Sequence, residues 1–287
     1  MTRTQSQALL LSLILIMAVT LAAAWDLPSR EGVLSGAALA LIGLSLWLER
    51  RRPLDPTAPP RAEIAGDIGS FVMVFGVLDG ALKWLTPFVV LAILPETQAW
   101  QAPLWQQVVL FTLWIELAAW ASHWAHHRFK PLWSLHAMLH STERLYTLNN
   151  FRFHPLNHVL NHLAMILPPL MFGMNPDAIL IYSALSLPIL LTQHSNISFD
   201  FGRLNLFFNT NTLHRWHHSA DPGEGMMNLG RALVLWDHLF GTYLNPVSVK
   251  SPAKIGLFQQ SRSYPAASHF FAQLAWPFTA RCCQRQA

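Results

Sequence analysis

Thirteen of the fourteen histidines in this 287-residue chain lie between residues 123 and 238, and the first 122 residues contain none. Packing alone does not concentrate one residue type in this way. The spacing is also regular: His123 and His127, His136 and His140, His154 and His158, then His214, His217 and His218. Separations of four, or of three and four, place imidazoles on one helix face with Cβ atoms about 5–6 Å apart, so each set can point at one ion. Neutral imidazole is a ligand for iron, zinc and copper. One such pair is more often a half-buried histidine satisfied by a carbonyl, but four groups in close succession point to metal. Sulfur adds nothing to the set, because Cys282 and Cys283 are adjacent and near the C-terminus. They can neither staple a core nor supply a spaced metal site.

The elements that must position this cluster follow from the apolar pattern. Hydrophobic residues make up 52% of the chain and charged residues only 12%, against roughly a quarter charged in soluble domains. A membrane protein is expected. The net charge of +4 sits between apolar runs rather than in one stripe, which argues against nucleic acid and for topology signals. Residues 8–24 and 33–48 are each long enough to span. The first reads as a retained helix rather than a signal peptide, since Arg3 is the only charged side chain before it. Further apolar stretches cover 66–95, 104–122 and 159–192. In the last, Pro168, Pro169 and Asn175-Pro176 suit the turn of a hairpin that returns to the side it entered from.

Arg50, Arg51, Arg52 and Arg61 place the end of the second span in the cytoplasm. If 66–95 crosses once, residues 96–103 lie outside and every histidine group lies on the cytoplasmic face. A single metal site requires that arrangement. Residues 193–287 hold eight Arg or Lys against four Asp or Glu and no run long enough to span, so they are expected to form a cytoplasmic cap. The expected fold class is therefore all-α: a polytopic membrane helical bundle whose cytoplasmic helical cap holds a histidine-rich dimetal site.

The phrases around the histidines resemble the fatty acid hydroxylase and sterol desaturase superfamily from about Glu116 to Tyr243. His123-Trp-Ala-His-His127 is similar to its first box, with Glu116 where an Asp usually stands seven residues earlier. LWSLH at 132–136 with His140-Ser141 resembles the second box, RFHP at 152–155 an Arg-x-His-Pro phrase, and QHSN at 193–196 an isolated histidine, His194. LHRWHHS at 213–219 is a complete third box, and Asn228-Leu-Gly230 with WDHLFGTY at 236–243 resembles the closing segment. Five departures stand out. Leu139 occupies the place of the second box's middle histidine, Trp124 that of an Arg, Asn211 that of a Pro, and Met226-Met227 those of polar residues. The fifth is His126, an extra imidazole one turn after His123.

The resemblance implies an oxidoreductase with two non-haem iron ions, dioxygen as co-substrate, and a lipid such as a fatty acyl chain, sterol or isoprenoid as substrate. Its expected ligands are His123, His127, His136, His140, His154, His158, His194, His214, His217 and His218. Breaking an unactivated C–H bond is beyond any side chain, so the metal must carry it. Electrons are expected from an external donor protein, since the chain has no HPGG phrase, no cysteine framework and no GxGxxG. Neutral ligands leave the metal pair strongly positive and need acceptors on their other N–H groups. Glu116, Asn150, Asn228 and Asp237 are the candidates, Glu116 first, because an acid inside an apolar span is costly without a purpose. Leu139 is expected to leave an open position unless His126 takes it over.

His162 and His269 are expected to be structural, and Arg152 and Arg215 to position carboxylates or lipid headgroups. The domains expected are 1–62, a membrane hairpin and basic linker; 63–250, the histidine-box oxygenase; and 251–287, a cytoplasmic tail. Competing readings are weaker. A zinc hydrolase would need an HExxH sequence, which is absent, a transporter would hold ligands at mid-membrane on broken helices, and a bis-His haem cytochrome would show a Soret band. Hydroxylation, desaturation and ether cleavage share one hydrogen abstraction, and the residues leave that choice open.

Overall fold

The computed structural model describes residues 1–94, 99–246, 251–261 and 263–279; Cys282 and Cys283 lie outside them. The first helix, α1 (Arg3–Ala24), starts at a capping box in which the Thr2 hydroxyl accepts from Gln5 N and the Gln5 amide oxygen accepts from Thr2 N. After a short turn, α2 (Arg30–Arg51) runs back and stops before Pro53. A continuous helical rod follows: α3 (Arg61–Ser70), a π-helical stretch (Phe71–Leu78) and α4 (Asp79–Ile93). Its length of about 50 Å exceeds a hydrocarbon core, so its first turns belong to the cap. There Asp67 pairs with Arg152, and the Ser70 hydroxyl binds the backbone of Phe151 and Phe153.

The next span, α5 (Leu104–Arg128), leads directly into α6 (Lys130–His140). The expected hairpin over 159–192 is present with unequal arms. Its outbound arm is broken at Ile166 into α7 (Pro155–Met165) and α8 (Leu167–Met171), where Pro168 and Pro169 lack amide donors. Its return arm, α9 (Pro176–Gln193), is capped by the Asn175 side chain. Five helical segments are long and apolar enough to cross a membrane: Arg3–Ala24, Arg30–Arg51, Arg61–Ile93, Leu104–Arg128 and Pro176–Gln193. The chain is a multi-pass membrane protein.

Contacts between distant loops sort the helix ends onto two faces. On one, Arg30 pairs with Asp177, and Trp100 N donates to Gly173 O at 2.8 Å. On the other, the Met1 amine reaches Ser198 O, Leu54 N donates to Asn196 O, and Arg144 holds Ala58 O. All the histidine pairs lie on that second face. The cap adds α10 (Asn211–His217), α11 (Pro222–Gly225), α12 (Leu235–Phe240) and α13 (Phe270–Ala275). The described residues of the expected tail, 251–261 and 263–279, pack into this cap: Arg152 bonds Ala267 O and the Gln273 side chain, and Phe258 stacks on Trp133.

Candidate metal centre

Two clusters of imidazole nitrogens form where four helices end. His123 and His127 occupy the last two turns of α5, His136 and His140 the end of α6, and His194 caps the C-terminus of α9. His214 and His217 lie on α10, with His218 as its C-cap. His123, His127, His136, His140 and His217 form one group, and His194, His214 and His218 the other; within each, the nitrogens lie within 4.8 Å of one another. The His140 and His218 rings stack at 4.2 Å, so the groups are neighbours.

Hydrogen bonds at Nδ1 fix which nitrogen carries the proton. His123 Nδ1 lies 2.9 Å from Leu229 O, and His217 Nδ1 lies 3.1 Å from Met227 O. A carbonyl oxygen only accepts, so Nδ1 is the donor and Nε2 a bare lone pair in each neutral ring. His136 Nδ1 is held by the Asn157 side-chain oxygen at 3.2 Å and His194 Nδ1 by that of Asn149 at 2.7 Å. The His136–His140, His140–His217, His194–His214 and His214–His218 pairs are 3.1–3.2 Å apart at Nε2. In the His123–His136 pair, both rings have the proton on Nδ1, and the two bare Nε2 lone pairs face each other at 3.0 Å. Two lone pairs at that distance repel unless a cation lies between them.

A metal fits. Cis ligands on an ion with bonds of about 2.1 Å sit ~3.0 Å apart at right angles, but ~3.4 Å apart in a tetrahedron. The observed Nε2 spacings fall between these two values, as imidazoles that share an ion require. Among the described residues, both ring nitrogens of His127, and Nδ1 of His140, His214 and His218, are buried without a partner, at a cost of about 1–3 kcal/mol for each unsatisfied group. Burial and the neighbouring imidazoles hold His136, His140, His214, His217 and His218 well below the usual histidine range; burial and the Arg215 charge lower His194 to about 3. The rings are therefore neutral, as ligands must be.

Several expected residues lie elsewhere. His154 belongs to neither group: its Nδ1 accepts from Leu156 N and caps α7, and its Nε2 donates to Leu274 O on α13 at 3.1 Å, so both nitrogens are used. His158 is also outside; its Nε2 donates to Asp79 at 3.2 Å. His126 likewise does not join the cluster. None of the four expected outer partners bonds a ligand imidazole. Asn150 holds Leu190 O, and Asn228, at φ 55°, ties Leu213 O to Leu244. Glu116 accepts from Tyr182 OH, Ala232 N and Leu233 N, and Asp237 from Leu229 N, Gly230 N and Thr242 OH. These two carboxylates act one step back, by fixing the loop that presents Leu229 O to His123.

Asn149 and Asn157, the partners that do reach the rings, were not singled out by sequence. The available signal was Asn157 on the buried face of α7, three positions after His154. Arg152 is engaged by Asp67, whereas Arg215 lies buried beside the three-histidine group and, among the described residues, donates to Ser195 O at 3.5 Å.

The Fatty acid hydroxylase family matches residues 108–242. "Ornithine lipid hydroxylase OlsE" of Rhizobium tropici is 31% identical over 251 residues, covering 84% of this chain and 74% of that protein. "Alkylglycerol monooxygenase" of Danio rerio is 28% identical over 130 residues, 42% of this chain and 27% of that protein; its Homo sapiens namesake is 27% identical over 124 residues. No solved structure matches significantly. All eight histidines of the two imidazole groups lie within the matched segment, and the OlsE likeness covers 84% of the chain. This chain belongs to the fatty acid hydroxylase family.

Proposed function

We propose that the protein is a di-iron oxygenase that hydroxylates a C–H bond of a membrane lipid, using dioxygen and electrons from a separate donor protein, with its metal centre on the cytoplasmic face. The observation that carries the reading is the His123–His136 pair: two Nε2 lone pairs 3.0 Å apart, each ring oriented by a bond at its other nitrogen. His123, His127, His136, His140 and His217 would hold one ion, and His194, His214 and His218 the other. Iron bound there supplies dioxygen activation and hydrogen abstraction from an unactivated C–H bond, which no side chain can perform.

The protein's own contribution is orientation and exclusion of water. Leu229 O, Met227 O, Asn149 and Asn157 hold four rings with Nε2 turned inward. Trp133 and Phe258, stacked at 5.1 Å, cover His127 and His140. Arg50, Arg51 and Arg52, on the same face as the centre, support a cytoplasmic placement. The name of the Rhizobium relative makes ornithine lipid the first substrate class to assay. Ether cleavage is the second reading, favoured by the alkylglycerol monooxygenase match.

Anaerobic loading of the detergent-purified protein with iron(II) is expected to saturate at one ion per group. Exposure to ¹⁸O-labelled dioxygen, a chemical reductant and bacterial lipid extract should then give a lipid carrying one labelled hydroxyl. An aldehyde with loss of the ether chain would select the second reading. Zinc binding with lipid hydrolysis, or no iron uptake, would overturn both.

A further inference from the structure

His126 is buried, is absent from both imidazole groups, and still has both ring nitrogens occupied. Its Nδ1 lies 2.7 Å from Ser122 O. Because that carbonyl only accepts, Nδ1 carries the proton and Nε2 of the neutral ring is an acceptor. The side-chain nitrogen of Asn157 donates to this Nε2 at 3.1 Å. An amide has one donor end and one acceptor end, so Asn157 must turn its oxygen the other way, onto His136 Nδ1 at 3.2 Å. Every hydrogen in the series Ser122 O, His126, Asn157, His136 is thereby assigned by the carbonyl at its far end.

We propose that His126 is a positioning residue for the five-imidazole group: acting through Asn157, it keeps the proton of His136 on Nδ1 and leaves Nε2 free for metal. With an aliphatic side chain at 126, the amide of Asn157 could rotate and present its NH₂ to His136, whose ring would then protonate at Nε2 and leave the ligand set. The inference rests on the metal reading proposed above. It also gives the extra imidazole a place outside the metal's own ligands: the group already holds His123, His127, His136, His140 and His217, so His126 does not replace the histidine missing at Leu139.

The test uses the full-length protein in detergent, loaded with cobalt(II), with affinity measured by chelator competition and the coordination shell followed by the visible cobalt spectrum. His126→Met, which fills the volume without a strong acceptor, is expected to weaken one of the two bound ions by 10–100-fold, the range of outer-partner changes, and to alter the spectrum. His126→Gln, whose amide oxygen falls near the Nε2 position, should recover most of that loss. Asn157→Asp, which can only accept from His136, should bind at least as tightly as Asn157→Leu and more tightly than His126→Met. The double variant His126→Met/Asn157→Leu should be no weaker than Asn157→Leu alone, because the two residues act in series. Wild-type affinity in His126→Met, additive losses in the double variant, or equal losses in His126→Met and His126→Gln would overturn the proposal and leave the metal reading standing. Failure of the wild-type chain to bind cobalt would instead overturn the metal reading itself.

Discussion

At the scale of single residues, the difference between a ligand and a histidine with the same spacing lies in what faces the ring. Among the described residues His127 has no hydrogen-bond partner at either nitrogen, whereas both nitrogens of His154 are used. His127→Ala and His217→Ala are therefore expected to lose bound metal, and His154→Ala and His158→Ala to retain it, by elemental analysis of the purified variants. Metal retained in His127→Ala would remove that ring from the site. Spacing revealed seven of the eight imidazoles that meet, and the family resemblance supplied His194, but an i, i+4 pair says nothing of the surface opposite it. For His158 that surface is Asp79 on a distant span, and for His154 it is the carbonyl of Leu274. Protonation gives a second test. Burial, then the neighbouring imidazoles, lowers the folded-state values of His136, His140, His214, His217 and His218, while the unfolded chain titrates near the ordinary value of about 6.5. The unfolded state thus binds more protons below that pH, and stability falls as pH decreases. The Tm of chelator-treated protein should drop between pH 7.5 and 5.5; an unchanged Tm would contradict the burial of neutral rings.

At the scale of elements, the site depends on a loop tied to helices far away in sequence. Glu116 on α5 accepts from the backbone of Ala232 and Leu233, and Asp237 on α12 from that of Leu229 and Gly230. The sequence marked Glu116 as an acid too costly for an apolar span without a purpose. It could not reveal the partner, because backbone N–H groups leave no trace in residue types. Glu116→Gln would turn an NH₂ toward amide donors, at about 1–3 kcal/mol. The expected result is a lower Tm with weakened metal binding, since Leu229 O would lose its fixed position against His123; a lower Tm with unaltered metal affinity would limit Glu116 to packing. Prolines marked the hairpin over 159–192 correctly, yet not the inequality of its arms, which is set by where α8 and the turn at Gly173 meet Trp100.

At the scale of the whole molecule, the two sets of loop contacts give a topology test. In a background with Cys282 and Cys283 replaced by Ser, a cysteine at residue 56 and one at residue 220 should react with an impermeant reagent from the same side, and one at residue 101 from the other. Labelling of 56 and 220 from opposite sides would contradict the fold. Counting of basic residues and spans had already grouped these faces, because parity depends only on the number of crossings. The four helices that deliver the ligands all approach with their carbonyl ends. Each such end carries a partial charge of roughly −0.5 from the aligned peptide dipoles, and among the described residues no carboxylate joins either imidazole group. The negative potential at the proposed two-ion centre would therefore come in large part from peptide groups, which have no proton to gain or lose. A carboxylate-lined centre would forfeit its counter-charge in acid, whereas here the field persists until the imidazoles themselves are protonated.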